Sequence, residues 1–213
     1  MGKFLKMDLH IHSSHSPDSR ASTKDIVAWA RKKGLDIIAI TDHGTRAGSL
    51  EALKMARGIR VLVGQEVKTR QGDLLIYDVG EDLQEGEDIV RTCKKAQSLG
   101  GFIIVPHPFD PMRQGAGQSL DRIVKYVHAI EGFNSRCFFS WSNKKAEDFA
   151  LAKAIPAVAS SDAHSPENVG RAYTIMEGKD PFQAIREGRI KMVISKPEKA
   201  QLLKKKVQKV FGQ

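Results

Sequence analysis

Residues 4–12 read FLKMDLHIH and residues 36–43 read DIIAITDH; strands are predicted over 4–9 and 36–40, and the stretch between them carries the signals of one helix near 23–33. Ser22-Thr23-Lys24-Asp25 has the S-x-x-D form of a capping box, and Ile26, Val27, Trp29 and Ala30 supply an apolar face. Gly34 suits the position just past a helix end, where a left-handed residue closes the last turn. Strand, helix and strand in that order make a βαβ unit, which joins parallel strands. The alternation continues along the chain. Further strands are predicted over 61–67, 74–79, 102–106, 129–133 and 156–160, with helices near 49–57, 85–98, 118–127, 143–153 and 181–187. Asp180-Pro181 marks the last of these helices, a capping side chain followed by proline at the first helical position. The pattern predicts an α/β chain with a mainly parallel sheet, either a small irregular βα barrel or an open doubly wound sheet. In both, chemistry gathers at the C-terminal ends of the strands.

Composition narrows the class. Of 213 residues, 41% are hydrophobic and 28% charged, which excludes a disordered or fibrous chain. No apolar run exceeds five residues, and 102–105 is strand-sized, far too short to cross a bilayer. Lys6 and Asp8 interrupt the N-terminal apolar stretch, so no cleavable signal is read there. Cys93 and Cys137 are too few for a disulfide framework, and the chain reads as cytoplasmic, with no membrane and no protein partner implied. The net charge of +9 is concentrated at the end, where 196–213 holds six lysines against Glu198. Leu203, Val207, Val210 and Phe211 predict an amphipathic C-terminal helix packed on a single catalytic domain spanning 1–195. A basic surface of this kind is compatible with phosphate-bearing partners.

The histidines are placed unevenly. His10, His12, His43, His107 and His164 all fall at or just after predicted strand ends, beside acidic residues in the same short segments. In His10-Ile11-His12 an extended backbone presents two imidazoles to one side, as a transition-metal site requires. Asp18, Thr41-Asp42-His43, Gly64-Gln65-Glu66, Pro106-His107-Pro108 and Ser161-Asp162-Ala163-His164 follow in order. Phosphate-binding loop, H-E-x-x-H and G-x-S-x-G motifs are absent from the sequence. Mixed imidazole and carboxylate donors suit Zn²⁺, Mn²⁺ or Fe²⁺. The same alternation puts Asp8 on the side of the two histidines, where a hydrogen bond to an imidazole is expected. His15 reads as an exposed loop residue, and His128 as a structural one at a helix end, where the dipole favours partial charge.

This ordered set, from Asp8-Leu9-His10-Ile11-His12 through Ser16-Pro17-Asp18 to Asp162-Ala163-His164, resembles the polymerase and histidinol phosphatase (PHP) family over residues 8–164. The resemblance implies a distorted seven-stranded βα barrel holding two or three divalent metal ions that hydrolyses phosphoesters. Carried over by position, one ion is held by His10, His12, Glu66 and Asp162, and these residues hold the water that attacks phosphorus. A second ion uses Asp18, His43 and His164, and a third uses Glu66 as a bridge together with His107. Many members carry a histidine soon after the bridging glutamate, where this chain reads Gly72-Asp73-Leu74-Leu75. Asp73 is either an oxygen ligand in its place or an ordinary turn aspartate.

Arginine grips phosphate in bidentate fashion. Arg20, Arg46, Arg113, Arg136 and Arg171 lie in or just past strand-end loops, and Arg46 and Arg171 are the preferred substrate contacts, with Asn134 a further one. The expected function is a metal-dependent phosphoesterase acting on a small phosphorylated metabolite or nucleotide. Two alternatives stand beside it: a 5′–3′ exonuclease on short RNA or DNA, and an RNA-binding scaffold of the ribonuclease P protein type. The thin aromatic supply, 7%, does not favour specific RNA readout.

Overall fold

Six strand ends converge on one rim because of how the strands of this computed structural model, which describes residues 4–194, are ordered. The elements are β1 (Phe4–Ile11), α1 (Thr23–Lys32), β2 (Ile37–Ile40), α2 (Ala47–Met55), β3 (Arg60–Thr69), β4 (Gly72–Tyr77), α3 (Ile89–Ser98), β5 (Phe102–Val105), α4 (Leu120–Ile123), β6 (Ala129–Asn134), α5 (Ser140–Ala152), β7 (Ala157–Ser160), β8 (Ala172–Glu177), α6 (Pro181–Arg186) and β9 (Ile190–Ile194). The sheet runs β7-β6-β5-β4-β3-β2-β1-β8-β9. β1, β2 and β3 are parallel, as are β5, β6 and β7. β4 is antiparallel to both β3 and β5, so those two triplets point the same way. The sheet curls until its ends meet. Thr174 Oγ1 accepts from the Ala159 amide at 2.9 Å and donates to the Ala159 carbonyl at 3.0 Å, tying β8 to β7. The His12 amide donates to the Ala163 carbonyl at 2.8 Å, tying the end of β1 to the loop after β7.

The strand count corrects the expected seven: nine strands form a nearly closed barrel-shaped sheet among the described residues. β8 runs antiparallel to β1, and β9 is antiparallel to β8 at the sheet's edge. Neither sends its C-terminal end to the shared rim as part of a parallel βα step, which is the pattern the sequence reading followed. The expected Lys-rich helix over 196–213 and the domain boundary at 195 lie outside the described residues.

The packing explains the continuous apolar runs. In β2, Ile37 and Ala39 face the barrel interior with Met7, Leu9, Leu62, Leu75, Phe102 and Ile104, while Ile38 and Ile40 face α1 and α2. Both faces are covered, so both must be apolar. On the far side α3, α4 and α5 bury Ile89, Cys93, Ile123 and Ala146 against Leu74, Ile76, Ile103 and Ile130. α6 closes the barrel floor with Ala184 and Ile185. Tyr77 is wholly buried inside and donates its hydroxyl to the Leu9 carbonyl at 2.7 Å, which satisfies its one polar group.

At the floor, His128 stacks on Phe102 with centroids 4.4 Å apart, and its Nδ1 accepts the Ile103 amide at 3.0 Å. Burial, and then the nearby Arg186 cation, push its pKa below the ordinary 6.5. His128 is therefore held neutral, rather than charged by a helix dipole. The unfolded chain protonates it near 6.5 and the folded chain only at lower pH, so its contribution favours folding above 6.5 and is lost as pH falls through that window. His128→Asn keeps an acceptor for the Ile103 amide without a titrating ring. It is expected to flatten the dependence of Tm on pH just below 6.5 relative to wild type. Equal slopes for the two proteins in that window would contradict the assignment.

Candidate metal centre

Every rim strand except β6 brings a donor at or just after its end, and β4 adds another. β1 carries His10 with His12 directly after it, β3 carries Glu66, β4 carries Asp73, and the loops after β2, β5 and β7 carry His43, His107, Asp162 and His164. Backbone bridges align them, pairing His43 with Glu66 and Ile11 with Ala163. His107 and Asp162 both adopt positive φ, 28° and 52°, a conformation that side chains other than glycine rarely accept and that concentrates at functional sites. Gly48 lets α2 approach closely, since a Cβ there would overlap Asp42 Oδ2 and Ser13 Oγ. Asp42 in turn accepts the Ser13 amide at 2.6 Å and its hydroxyl at 2.7 Å, which fixes the loop between His12 and Asp18.

Glu66 lies at the centre. Its Oε2 is 3.3 Å from His10 Nε2, 3.1 Å from His12 Nε2 and 3.4 Å from His43 Nδ1, while Oε1 is 3.1 Å from His107 Nε2. The two oxygens of one carboxylate thus serve two different imidazole sets. Asp162 Oδ1 stands 3.5 Å from His10 Nε2, His12 Nε2 and His164 Nδ1. Asp18 Oδ2 lies 3.0 Å from His164 Nε2 and 3.5 Å from His43 Nε2. Three groups have donor atoms all within 4.8 Å of one another: His12, Asp18, His43 and His164; His10, Glu66 and His107; and His10, His12 and Asp162. Asp73 belongs to none of these groups, but lines the same cavity of about 310 Å³.

Buried carboxylates require compensating charge. Glu66, Asp73, Glu131 and Asp162 are all buried here. Burial opposes charge on His10, yet Asp162, Glu131 and Glu66 together raise its pKa well above 6.5. Burial would also raise Asp162, but the charges of His10 and Arg113 hold it below the usual carboxylate range. Asp73, by contrast, is pushed up to about 7 by burial and then by Glu66. The donor set fits divalent cations on a further observation. His43 Nδ1, Asp73 Oδ1, His107 Nδ1 and Asp162 Oδ1 are buried without any hydrogen-bond partner, a costly state for polar atoms that nothing ligates.

The expected substrate contacts are not brought together. Arg46 turns away from the cavity: its Nε binds Asp82 at 2.8 Å and its Nη1 the Val79 carbonyl at 2.7 Å. Arg171 is exposed beyond the Pro166–Asn168 turn and does not line the cavity. Asn134 is wholly buried and works on the protein itself, donating to Glu131 Oε2 at 2.8 Å and Asp162 Oδ2 at 3.1 Å. Asp8 binds no imidazole. The β1–β2 register shifts between Asp8 and Ile11, breaking the alternation, and Asp8 instead accepts the Ser161 and Gly170 amides at 3.0 and 2.9 Å. His15 pairs with Glu51 at 2.8 Å on the surface, outside the cavity.

The cations on the cavity wall are Lys68, Arg113 and Arg136. Arg113 binds Asp162 Oδ2, Asp110 and Asn134, and Arg136 Nη1 lies 3.6 Å from Asp162 Oδ1. Two further residues escaped the sequence reading. Ser16 Oγ meets His12 Nδ1 and the His43 amide, both at 3.0 Å. Glu131 Oε1 accepts His10 Nδ1 at 2.9 Å, and its Oε2 accepts the His107 amide at 2.9 Å. A carboxylate on Nδ1 fixes the imidazole so that Nε2 faces the donor cluster. The signal was a single charge inside the otherwise apolar strand AIEGF, 129–133.

Comparison with known proteins agrees with this geometry. A family model described as PHP-associated matches residues 140–190. An uncharacterized protein of Methanocaldococcus jannaschii is 34% identical over 144 residues, covering 62% of this chain and 82% of that one. A probable phosphatase of Serratia proteamaculans is 26% identical over 170 residues, 67% of this chain and 69% of that protein. Among solved structures, a two-domain Bacteroides vulgatus protein containing a predicted PHP-like metal-dependent phosphoesterase aligns with a TM-score of 0.76 at 22% identity. The alignment covers 91% of this chain and 66% of that one, a likeness of fold.

Glu131→Gln replaces a charged acceptor by an amide of the same shape. It is expected to lower Mn²⁺ affinity by about ten- to a hundredfold, read by calorimetric titration, with the circular dichroism spectrum unchanged. Unchanged Mn²⁺ affinity would contradict the orienting role.

Proposed function

The chain belongs to the PHP family of metal-dependent phosphoesterases, and from that premise we propose that its rim site hydrolyses a phosphomonoester of a small metabolite or nucleotide. His10, His12, Glu66 and Asp162 would hold one divalent ion, Asp18, His43 and His164 a second, and Glu66, His107 and Asp73 a third. The observation that carries this reading is the divided environment of Glu66, whose Oε2 meets His10, His12 and His43 while Oε1 meets His107. When bound, Mn²⁺, Zn²⁺ or Fe²⁺ supplies Lewis acidity toward phosphoryl oxygens and a water acidic enough to ionise near neutral pH.

The chain's own residues prepare the site. Asn134 and Arg113 occupy Asp162 Oδ2, leaving Oδ1 directed at the imidazoles. Glu131 orients His10, and Ser16 orients His12 against the His43 loop. Arg136, with its side chain 44% exposed, and Lys68 stand where an entering phosphoryl group meets the wall. A cavity of about 310 Å³ encloses a phosphoryl group and leaves the remainder of the substrate to extend outward.

The test uses the full chain with Mn²⁺ and a 5′-phosphorylated oligonucleotide beside a small phosphomonoester, comparing wild type with Asp162→Ala. Phosphate release is expected to fall at least about a hundredfold in the variant, since changes behind the ligands alone cost ten- to a hundredfold. The oligonucleotide should lose its terminal phosphate and otherwise stay intact. Stepwise release of mononucleotides would overturn the phosphomonoesterase reading in favour of an exonuclease. Equal activity in both proteins would overturn the site assignment.

A further inference from the structure

A second concavity opens beside the metal cavity. It is a groove of about 580 Å³, and Arg113 and Gln114 line both spaces, so the two adjoin there. Its walls carry the rings of Phe109 and Trp141 and the cations Arg70 and Lys145. Trp141 is 51% exposed, a large apolar surface left in water at a site entrance. It belongs to a small aromatic cluster: Phe139 stacks on Trp141 with centroids 5.9 Å apart, and Phe138 meets Phe139 edge-on at 5.0 Å. Phe109 is fixed likewise, with Lys145 Nζ 4.6 Å above its centroid and Phe149 packed at 6.1 Å.

Charge in the groove is one-sided. Its carboxylate, Asp110, is matched by Arg113, whose Nη2 and Nε lie 2.7 and 2.9 Å from Asp110 Oδ2. Arg70 and Lys145 remain, and neither belongs to the metal cavity. Arg70 Nε donates to the Gly86 carbonyl at 3.0 Å and Lys145 sits over Phe109, but neither cation is paired with a carboxylate among the described residues. A flat indole face and two cations without an acidic partner, beside a phosphate-sized cavity, match one ligand chemistry. We propose that this groove is the leaving-group subsite, taking an aromatic or heteroaromatic ring against Trp141 and a second negative charge on that ring against Lys145 and Arg70. The proposal rests on the phosphoesterase reading, because the ester phosphate lies in the metal cavity while the ring lies in the groove. The volume suits a small molecule carrying one ring.

Three non-hydrolysable probes test it by calorimetry on the Mn²⁺-loaded full chain: methylphosphonate, phenylphosphonate and 4-carboxyphenylphosphonate. Affinity is expected to rise about tenfold from the first to the second, the scale of one aromatic stacking contact. It should rise again from the second to the third. In Trp141→Ala the phenyl-to-methyl affinity ratio should fall to near one. In the double variant Arg70→Gln, Lys145→Gln the carboxyphenyl-to-phenyl ratio should do so. Equal affinities for the three probes, no binding of any, or ratios unchanged in the variants would each overturn the subsite. The two readings fail separately. A protein that shows the affinity ladder but releases no phosphate from any ester loses the phosphoesterase reading and keeps the groove. One that hydrolyses esters with a flat ladder loses the groove alone.

Discussion

One buried carboxylate, Glu66, faces four imidazoles from three different segments, and the rest of the site is arranged around that convergence. A carboxylate with so little solvent contact is tolerable only if positive charge reaches both of its oxygens. The barrel supplies the means. Parallel β1, β2 and β3 and parallel β5, β6 and β7 carry their C-terminal ends to one rim, with β4 inserted antiparallel between the triplets. Closure through Thr174 and Ala159, and through His12 and Ala163, brings the loop after β7 against the end of β1. Asp162 can then reach the histidines that Glu66 already faces. Positive φ at His107 and Asp162 is the local strain that this convergence imposes.

Around the donors lies a second set of groups whose work is to hold them. Glu131 and Ser16 act on imidazole Nδ1 atoms, Asn134 and Arg113 on Asp162, and Asp42 on the Ser13 loop. Asp8 holds the backbone of the loop after β7, accepting the Ser161 and Gly170 amides. Burial raises its pKa to about 6, so the charged form is retained there against desolvation by those amide donors. Asp73 is the exception. It faces the cavity with an unpartnered oxygen, and burial, then Glu66, push its pKa up to about 7 against the weaker pull of His107 and Lys68.

Much of the site was legible because its donors interrupt apolar strands. Thr41-Asp42-His43, Gly64-Gln65-Glu66 and Ser161-Asp162-Ala163-His164 each end a β-branched or small-residue run, His10-Ile11-His12 ends the strand FLKMDL, and a metal-ligating residue type at such places has few bland explanations. What escaped was set by contacts distant in sequence. Glu131 meets His10 across 121 residues, a relation that only barrel closure creates. The arginines were ranked by nearness to a motif in sequence. Arg46 starts α2 and leans back onto Asp82, whereas Arg113 travels with the loop after β5 to reach Asp162. Asp8 was misplaced because alternation fails where the β1 register shifts, and β8 and β9 were missed because they depart from the parallel βα pattern.

Under the proposed function, Glu66 joins separate cation sites into one cluster. The most direct test of that role is the number of ions bound. The full chain, stripped with a chelator, is titrated with Mn²⁺, and free Mn²⁺ is followed by electron paramagnetic resonance for wild type and Glu66→Gln. Two or three ions per chain in wild type, with more than one lost together in the variant, is the predicted result. A wild-type chain that binds fewer than two ions, or a variant that loses no more than one, would contradict the account.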